Sequence, residues 1–320
     1  MQAQYIQAGD VMDYTPVAAL NAGDVIQLPD GRAAVVVGDI AAGKLGSVAV
    51  GGVWRLDKTT SMVLLAGGRV YWDDSASKAH YKTVNDKDFY VGTAVADATS
   101  AATYVDVYLN KQQQNTIDAL NGPSLSVATG TAAAGGFGLP QVYGGSRALT
   151  LTATSEVQCV DILSVDRVAI SANPIAEFQV RLGANGSTSA VDFNIGLANG
   201  TSTSDADAIT EHVLFHVDGG ALDILAQSKD GTTTVSAADT TIDITAGSAV
   251  ANRFEFWIDA RDPADIQLYI NGVNVLPASV FKLDAGTGPI GLLAHLEKTT
   301  GTATAGPVYI DRAVLRTMDQ

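Results

Sequence analysis

The sequence predicts an all-β protein, with a small N-terminal antiparallel β domain, barrel-like or sandwich-like, and a C-terminal two-sheet sandwich of jelly-roll type. The composition favours strands and turns over helices, because glycine is abundant at 32 of 320 residues and hydrophobic residues reach 47%. Short alternating segments recur between turn-forming dipeptides, and long stretches with helical periodicity are missing from the sequence.

The first 110 residues contain the elements of the small domain. Turn signals such as Pro29-Asp30-Gly31 and Gly67-Gly68 separate the strand-like segments. The predicted strands are Ala33–Val37, Ser47–Trp54, Met62–Leu65, Arg69–Trp72, Tyr90–Val95 and Tyr104–Asn110.

Residues 111–147 are predicted to be a linker or extended arm. Lys111–Leu120 is compatible with a short helical turn, which Asn121-Gly122-Pro123 would end. The small residues of Gly130–Gly138 offer little surface to bury, as is typical of linkers.

Residues 148–320 return to clear alternation and form the predicted sandwich. In Arg253–Asp259, the side chains of Phe254, Phe256 and Ile258 share one face. Asn271-Gly272 predicts a type I′ hairpin turn. The strands expected here are Ala148–Ala153, Glu177–Leu182, Val191–Leu197, His212–Val217, Leu222–Gln227, Arg253–Asp259, Ile266–Ile270, Val273–Val275 and Val308–Leu315.

Charge and hydropathy exclude several classes of protein. The formal net charge is −15, from 19 basic and 34 acidic residues without a basic cluster, which argues against nucleic-acid binding. No apolar run approaches the ~20 residues of a membrane helix. Because the N-terminus also lacks the basic and apolar regions of a secretory signal, we expect a soluble protein made in the cytoplasm.

Candidate metal and catalytic residues do not form a persuasive site. His212 and His216 suit zinc only on a helix; on the predicted strand they lie ~13 Å apart, too far to share an ion. Several acidic pairs could act as glycosidase carboxylates or bind calcium: Asp73-Asp74, Asp86 with Asp88, Asp205 with Asp207, and Asp259 with Asp262 and Asp265. The pairs at 205–207 and 259–262 lie in or beside apparent loops, where acidic residues usually contact water, and the sequence has no calcium-loop pattern. The lone Cys159 fits a small buried hydrophobe. We therefore expect no enzyme activity, no catalytic or metal-binding residues and no cofactor.

The first 110 residues resemble a family of phage-encoded capsid decoration proteins. The matching segments occur in the family's order: 5–10, 14–19, 22–25, 35–43, 48–53, 56–58 and 70–73. One departure is Gly67-Gly68-Arg69, where the family usually has Gly-Asp before the valine. The resemblance implies a structural virion protein that binds the major capsid protein on the outer capsid surface and stabilises the shell.

Residues 148–320 look more loosely like laminin-G or concanavalin-like sandwich domains, through the segments Phe254–Val275, 288–298 and 308–312. This likeness implies a fold and leaves activity open, because such sandwiches host many functions. The alternative function is therefore a carbohydrate-binding virion module in which the sandwich holds a glycan and aids host attachment. Elsewhere in the chain as well as here, Tyr71, Trp72 and Trp257 could stack on sugars, although an aromatic residue within an alternating strand is more often part of the core. A glycan hydrolase or lyase ranks third.

The decoration-protein resemblance also implies a homotrimer on three-fold positions of the capsid. Residues 1–8 carry no charged side chain and are mildly β-prone, so they could add a strand to a partner. Tyr5, Ile6 and Tyr14 are the interface residues that this hypothesis predicts.

Overall fold

A computed structural model describes residues 10–118, 124–129, 141–142, 146–151, 156–182, 191–245, 252–298 and 305–317. These residues contain 24 strands and two short 3₁₀ helices, Ile170–Ala172 and Ala206–Ala208. The chain forms two compact units, unit 1 (residues 1–114) and unit 2 (residues 115–320). The prediction of an all-β protein with antiparallel sheets is confirmed.

Unit 1 contains two antiparallel sheets. The four-stranded sheet has the order β1-β4-β3-β2, and the five-stranded sheet has the order β5-β9-β8-β6-β7. The strands are β1 Val11–Tyr14, β2 Val25–Gln27, β3 Ala33–Val36, β4 Gly46–Ala49, β5 Val53–Asp57, β6 Arg69–Asp73, β7 Lys78–His80, β8 Phe89–Ala94 and β9 Tyr104–Leu109.

One side chain joins the two sheets of unit 1. Asn110 follows β9 in the left-handed conformation, with φ of 57°, which asparagine tolerates better than most residues. Its Oδ1 accepts a hydrogen bond from the Ala33 amide at 2.9 Å, and its Nδ2 donates to the carbonyls of Ala33 and Val50 at 2.9 and 2.8 Å. The end of β9 is thereby held against β3 and the end of β4.

Unit 2 is a sandwich of two larger antiparallel sheets. The first has the order β12-β13-β24-β15-β20-β21-β22, with β10 also paired to β24, and the second has the order β11-β14-β23-β16-β17-β18-β19. The strands are β10 Thr116–Asp118, β11 Ser124–Thr129, β12 Gln141–Val142, β13 Ser146–Leu151, β14 Gln158–Ser164, β15 Pro174–Leu182, β16 Val191–Ala198, β17 Glu211–Asp218, β18 Asp223–Asp230, β19 Thr234–Asp243, β20 Arg253–Asp259, β21 Gln267–Ile270, β22 Val273–Val275, β23 Gly291–Lys298 and β24 Ala305–Thr317.

The apolar faces of these two sheets form one continuous core. Phe178 and Phe256 come from the first sheet, and Phe193 and Phe215 come from the second. The rings of Phe215 and Phe256 lie 4.7 Å apart between centroids, so side chains of the two sheets contact each other directly. This packing explains the alternation in both sheets, since the outer faces carry the polar residues.

The predicted hairpin in unit 2 is present. Asn271 and Gly272 have φ values of 52° and 76°, the two positive angles that a type I′ turn requires, and β21 pairs with β22 across them. The alternation in Arg253–Asp259 was also interpreted correctly, because Phe254, Phe256 and Ile258 lie in the core.

Three predictions for local structure were wrong. The segment Ser47–Trp54 is two strands, β4 and β5, because the chain turns at Gly51-Gly52 with a φ of 87° at Gly52. Met62–Leu65 is not a strand; only an isolated bridge joins Leu64 to Ala98. The helical turn within Lys111–Leu120 is replaced at residues 116–118 by β10, which pairs with β24.

The predicted linker also differs from the structure. Residues 124–129 form β11, which pairs with β14 over six residues, and residues 141–142 form β12, which pairs with β13. These segments form strands because their backbones pair with strands of the sandwich, although they contain few large apolar residues. Gly130–Gly138 lies outside the described residues, and the jelly-roll designation stays a prediction.

Candidate functional site

A groove lies between two edge strands of unit 1. β2 ends the four-stranded sheet and β5 ends the five-stranded sheet. The groove has a volume of about 480 Å³ and is lined by Leu20, Gly23, Asp24, Val25, Ile26, Arg55, Leu56, Asp57, Trp72, Asp74 and Ser77. We call it the β2–β5 groove.

Apolar side chains make up part of the β2–β5 groove. Leu56 and Trp72 are buried, while Leu20, Val25 and Ile26 are half-buried. Leu20 and Ile26 also pack against the core of the four-stranded sheet, which fixes the position of these lining side chains. The groove therefore combines fixed apolar surface with access to solvent.

The charged side chains of the groove are mainly acidic. Asp24 is half-buried, and Asp57 and Asp74 are exposed. Arg55 is the cation among the lining residues, and its Nε and Nη2 donate to the carboxylate of Asp106 at 2.8 and 3.0 Å. Because Asp106 already neutralises Arg55, the groove has an excess of negative charge.

The outer surface of β5 and β9 lies beside the groove and exposes apolar and aromatic side chains. Val53, Tyr104 and Tyr108 are 53%, 46% and 41% exposed. The Arg55 guanidinium lies 4.0 Å from the ring centroid of Tyr104, and its hydrogen bond to Asp106 lowers the pKa of that carboxyl. Exposed tyrosine and arginine are enriched in protein interfaces, so this surface and the groove form the best candidate binding region.

The interface residues predicted from the sequence do not line this groove. Tyr14 lies in β1 opposite Gly46, where it is half-buried and packs against the core of the four-stranded sheet. Tyr5 and Ile6 lie outside the described residues. Sequence reasoning missed the groove because it depends on bringing two edge strands together, which local alternation does not reveal.

The histidine pair of unit 2 does not converge on one site. His212 and His216 lie on strand β17, as the sequence predicted, and each has its own partner. His212 Nδ1 lies 3.0 Å from the Ile209 carbonyl, and His216 Nδ1 lies 2.9 Å from Asn194 Oδ1. Among the described residues, no group of three or more His, Cys, Asp or Glu side chains is arranged to hold a metal ion.

A buried ionic triad lies on the outer face of the seven-stranded sheet. His295 Nδ1 donates to Asp161 at 2.7 Å, and its Nε2 donates to Glu297 at 2.7 Å. Burial alone would lower the pKa of His295, but the two carboxylates raise it to about 9. The His295 imidazolium is fully buried, so a substrate cannot reach it and its role is structural.

The other sheet of the sandwich carries a triad of opposite charge order. Glu177 accepts hydrogen bonds from Arg312 at 2.6 Å and from Arg316 at 2.8 Å. Burial alone would raise the pKa of Glu177, but the two guanidinium groups lower it to about 2. Glu177 and Arg316 are buried and Arg312 is half-buried, so this cluster is best explained as structural.

The remaining candidate residues have structural uses. Asp73 accepts hydrogen bonds from the amides of Ser75 and Ala76, and so caps a turn. Trp72 and Trp257 are only 8% and 7% exposed, which leaves neither indole available to stack on a sugar. Cys159 is buried. No helix within the described part of the chain is long and apolar enough to cross a membrane.

Comparison with solved structures finds several β-sandwich proteins. The Emp47p carbohydrate recognition domain is 9% identical with a TM-score of 0.41, covering 63% of this chain and 95% of its own. The galectin LEC-6 of Caenorhabditis elegans is 12% identical with a TM-score of 0.31, covering 52% and 94%. At these values the likeness supports no inference about ligand or activity.

A structure described with endo-acting O-glycanases from the human gut microbiota is 10% identical with a TM-score of 0.43, covering 64% of this chain and 98% of its own.

Among curated proteins, none matches the chain. The informative match is to a family model and coincides with unit 1. Residues 6–109 match the phage cement protein family, which confirms for the N-terminal part of the chain the resemblance to capsid decoration proteins.

Proposed function

We propose that this protein binds the outer surface of a bacteriophage capsid and stabilises it, with unit 1 as the binding domain and unit 2 as an outward-projecting module. The observation that carries the proposal is the match of residues 6–109 to the phage cement family, because this range coincides with unit 1. The acidic net charge of −15 supports a position away from packaged DNA.

The stabilising effect would be thermodynamic. A ligand that binds the assembled shell and not its separated subunits stabilises the shell by mass action. Each copy that bridges neighbouring capsid subunits adds to this effect, and repetition over the shell increases it through avidity. This role requires no reacting group.

Capsid binding can be tested by co-sedimentation. The target is undecorated capsid assembled from the major capsid protein of the phage whose genome encodes this chain. We expect the full chain and the fragment 1–114 to pellet with capsids, and the fragment 115–320 to stay in the supernatant. These fragments follow the boundary between the compact units, since β10, β11 and β12 belong to the sandwich sheets. Pelleting of the fragment 115–320 alone would reverse the proposed roles.

The homotrimer and the N-terminal arm remain part of the proposal. Icosahedral shells offer many three-fold and quasi-three-fold positions, and residues 1–8 could bind a neighbour with little charge desolvation. A cryo-EM reconstruction of decorated capsids tests both ideas. We expect density at three-fold positions with Tyr5 and Ile6 at a subunit contact; density only at two-fold positions would exclude the trimer.

Glycan binding by unit 2 ranks second as a function. The sandwich is a scaffold on which such sites occur, but burial of Trp257 removes the stacking residue that the sequence suggested in this unit. A glycan array with the fragment 115–320 separates the two functions, because a specific signal there would support host attachment in addition to capsid stabilisation.

A further inference from the structure

We propose that the β2–β5 groove binds an extended segment of the capsid protein that carries a lysine or arginine side chain. This inference rests on the proposed capsid function and assigns to unit 1 a contact site that the family match does not provide. The groove supplies three complementary features: two strand edges, an apolar lining and an excess of carboxylates.

The strand edges favour an extended occupant. β2 pairs with β3 on one side, and β5 pairs with β9 on one side, so each ends its sheet next to the groove. The edge of β5 is closed at its C-terminal end, where Lys58 bridges to Ala79 of β7 and the Thr59 amide donates to the Ala79 carbonyl at 3.1 Å. An edge strand presents backbone N–H and C=O groups that an incoming chain can pair with. Strand addition of this kind derives affinity from main-chain hydrogen bonds and specificity from side-chain pockets.

The charge distribution favours a basic side chain on that segment. Asp57 and Asp74 are exposed, and Arg55 is already held by Asp106 in a two-bond salt bridge. A lysine or arginine can place its aliphatic stem against Val25 and Ile26 while its charged end meets these carboxylates. An acidic or purely apolar segment would leave the carboxylates unpaired.

The same argument disfavours a second copy of this chain as the occupant. The chain has a net charge of −15, and its residues 1–9 include no lysine or arginine. An N-terminal arm from a neighbouring copy would therefore bring no basic side chain to the groove. The capsid protein is the partner that the proposed function supplies.

Paired charge variants of the full chain test this inference. The groove variant carries Asp57→Asn and Asp74→Asn, and the control carries Asp13→Asn and Asp86→Asn, which remove the same charge from exposed positions outside the groove. We expect the groove variant to bind undecorated capsids about 3- to 10-fold more weakly, as for the loss of two exposed ion pairs, and the control to bind as the wild type does. Charge reversal by Asp57→Lys and Asp74→Lys should weaken binding further, with all melting temperatures nearly unchanged.

Each outcome separates this inference from the capsid function. If the wild type, both groove variants and the control all bind equally, the groove inference is wrong and the capsid function stands. Equal losses in the groove variant and the control would show a general charge effect and would also overturn it. Groove variants that bind capsids normally but lose self-association in analytical ultracentrifugation would identify a second copy as the occupant. A wild type that binds no capsid would refute the proposed function itself.

Discussion

Asn110 shows how much of unit 1 depends on a single side chain. Its amide makes three hydrogen bonds to the backbone of Ala33 and Val50, and its φ of 57° is unfavourable for alanine. We predict that Asn110→Ala destabilises unit 1 by about 2–3 kcal/mol, because backbone groups near buried Ala33 lose their partners. Hydrogen exchange of peptides covering β3 and β9 measures the effect locally.

Asn115→Ala, at the first residue of unit 2, is a control for the loss of a left-handed asparagine alone. Asn115 is also left-handed, with φ of 50°, but its side chain is exposed. Its replacement removes the conformational preference without the bridge between sheets, so we expect a smaller effect. Equal protection of β3 and β9 in the wild type and in Asn110→Ala would show that the bridge contributes nothing.

At the scale of elements, the two sheets of unit 2 hold ionic triads of opposite charge order. Asp161–His295–Glu297 places a cation between two anions, and Arg312–Glu177–Arg316 places an anion between two cations. We predict that His295→Gln and Glu177→Gln each destabilise unit 2 by about 3–5 kcal/mol, because each leaves buried charges of one sign together. Urea titrations near pH 6 measure these losses.

The pH dependence distinguishes the triads. The pKa of His295 rises from 6.5 to about 9 on folding, so its stabilisation is full below pH 6.5 and is lost as the pH rises through 9. The pKa of Glu177 falls from 4.5 to about 2, so its stabilisation is full above pH 4.5 and is lost as the pH falls through 2. When the free energy of unfolding is measured against pH, we expect His295→Gln to remove the loss of stability at alkaline pH. We expect Glu177→Gln to remove the loss of stability at acid pH. Variants that leave both losses unchanged would contradict these assignments.

Local sequence signals predicted elements well where they were strong. Asn271-Gly272 and the alternation of Arg253–Asp259 specify backbone angles and a buried face directly. Prediction failed where pairing partners decide the structure: β10 and β11 are strands because β24 and β14 accept them. In β11 the alternation of Leu125 and Val127 is itself a strand signal, but the glycine-rich segment that follows outweighed it when the linker was predicted. Propensity is a weak constraint when tertiary pairing decides the structure.

At the scale of the whole molecule, the family resemblance located the part of the chain to which we assign capsid binding, but not a binding surface on it. The order of short turn motifs identified residues 1–110 with decoration proteins, in agreement with the match to residues 6–109. The β2–β5 groove required the structure, since Asp57 and Asp24 are far apart in sequence and meet only where two sheets end. The rest of the chain has the fold of a sandwich, which does not determine a function.

The opposite charge order of the two triads has an asymmetric consequence for solubility. The stabilisation from the pKa shift of Glu177 is full above about pH 4.5, that from His295 is full below about pH 6.5, and the isoelectric point of the chain is near 4.4. On the acid side, the triad at Glu177 therefore weakens as the net charge passes through zero and molecules stop repelling one another. On the alkaline side, the triad at His295 weakens while the chain is strongly negative. Acid unfolding should consequently end in precipitation, whereas alkaline unfolding should leave the chains dispersed and able to refold.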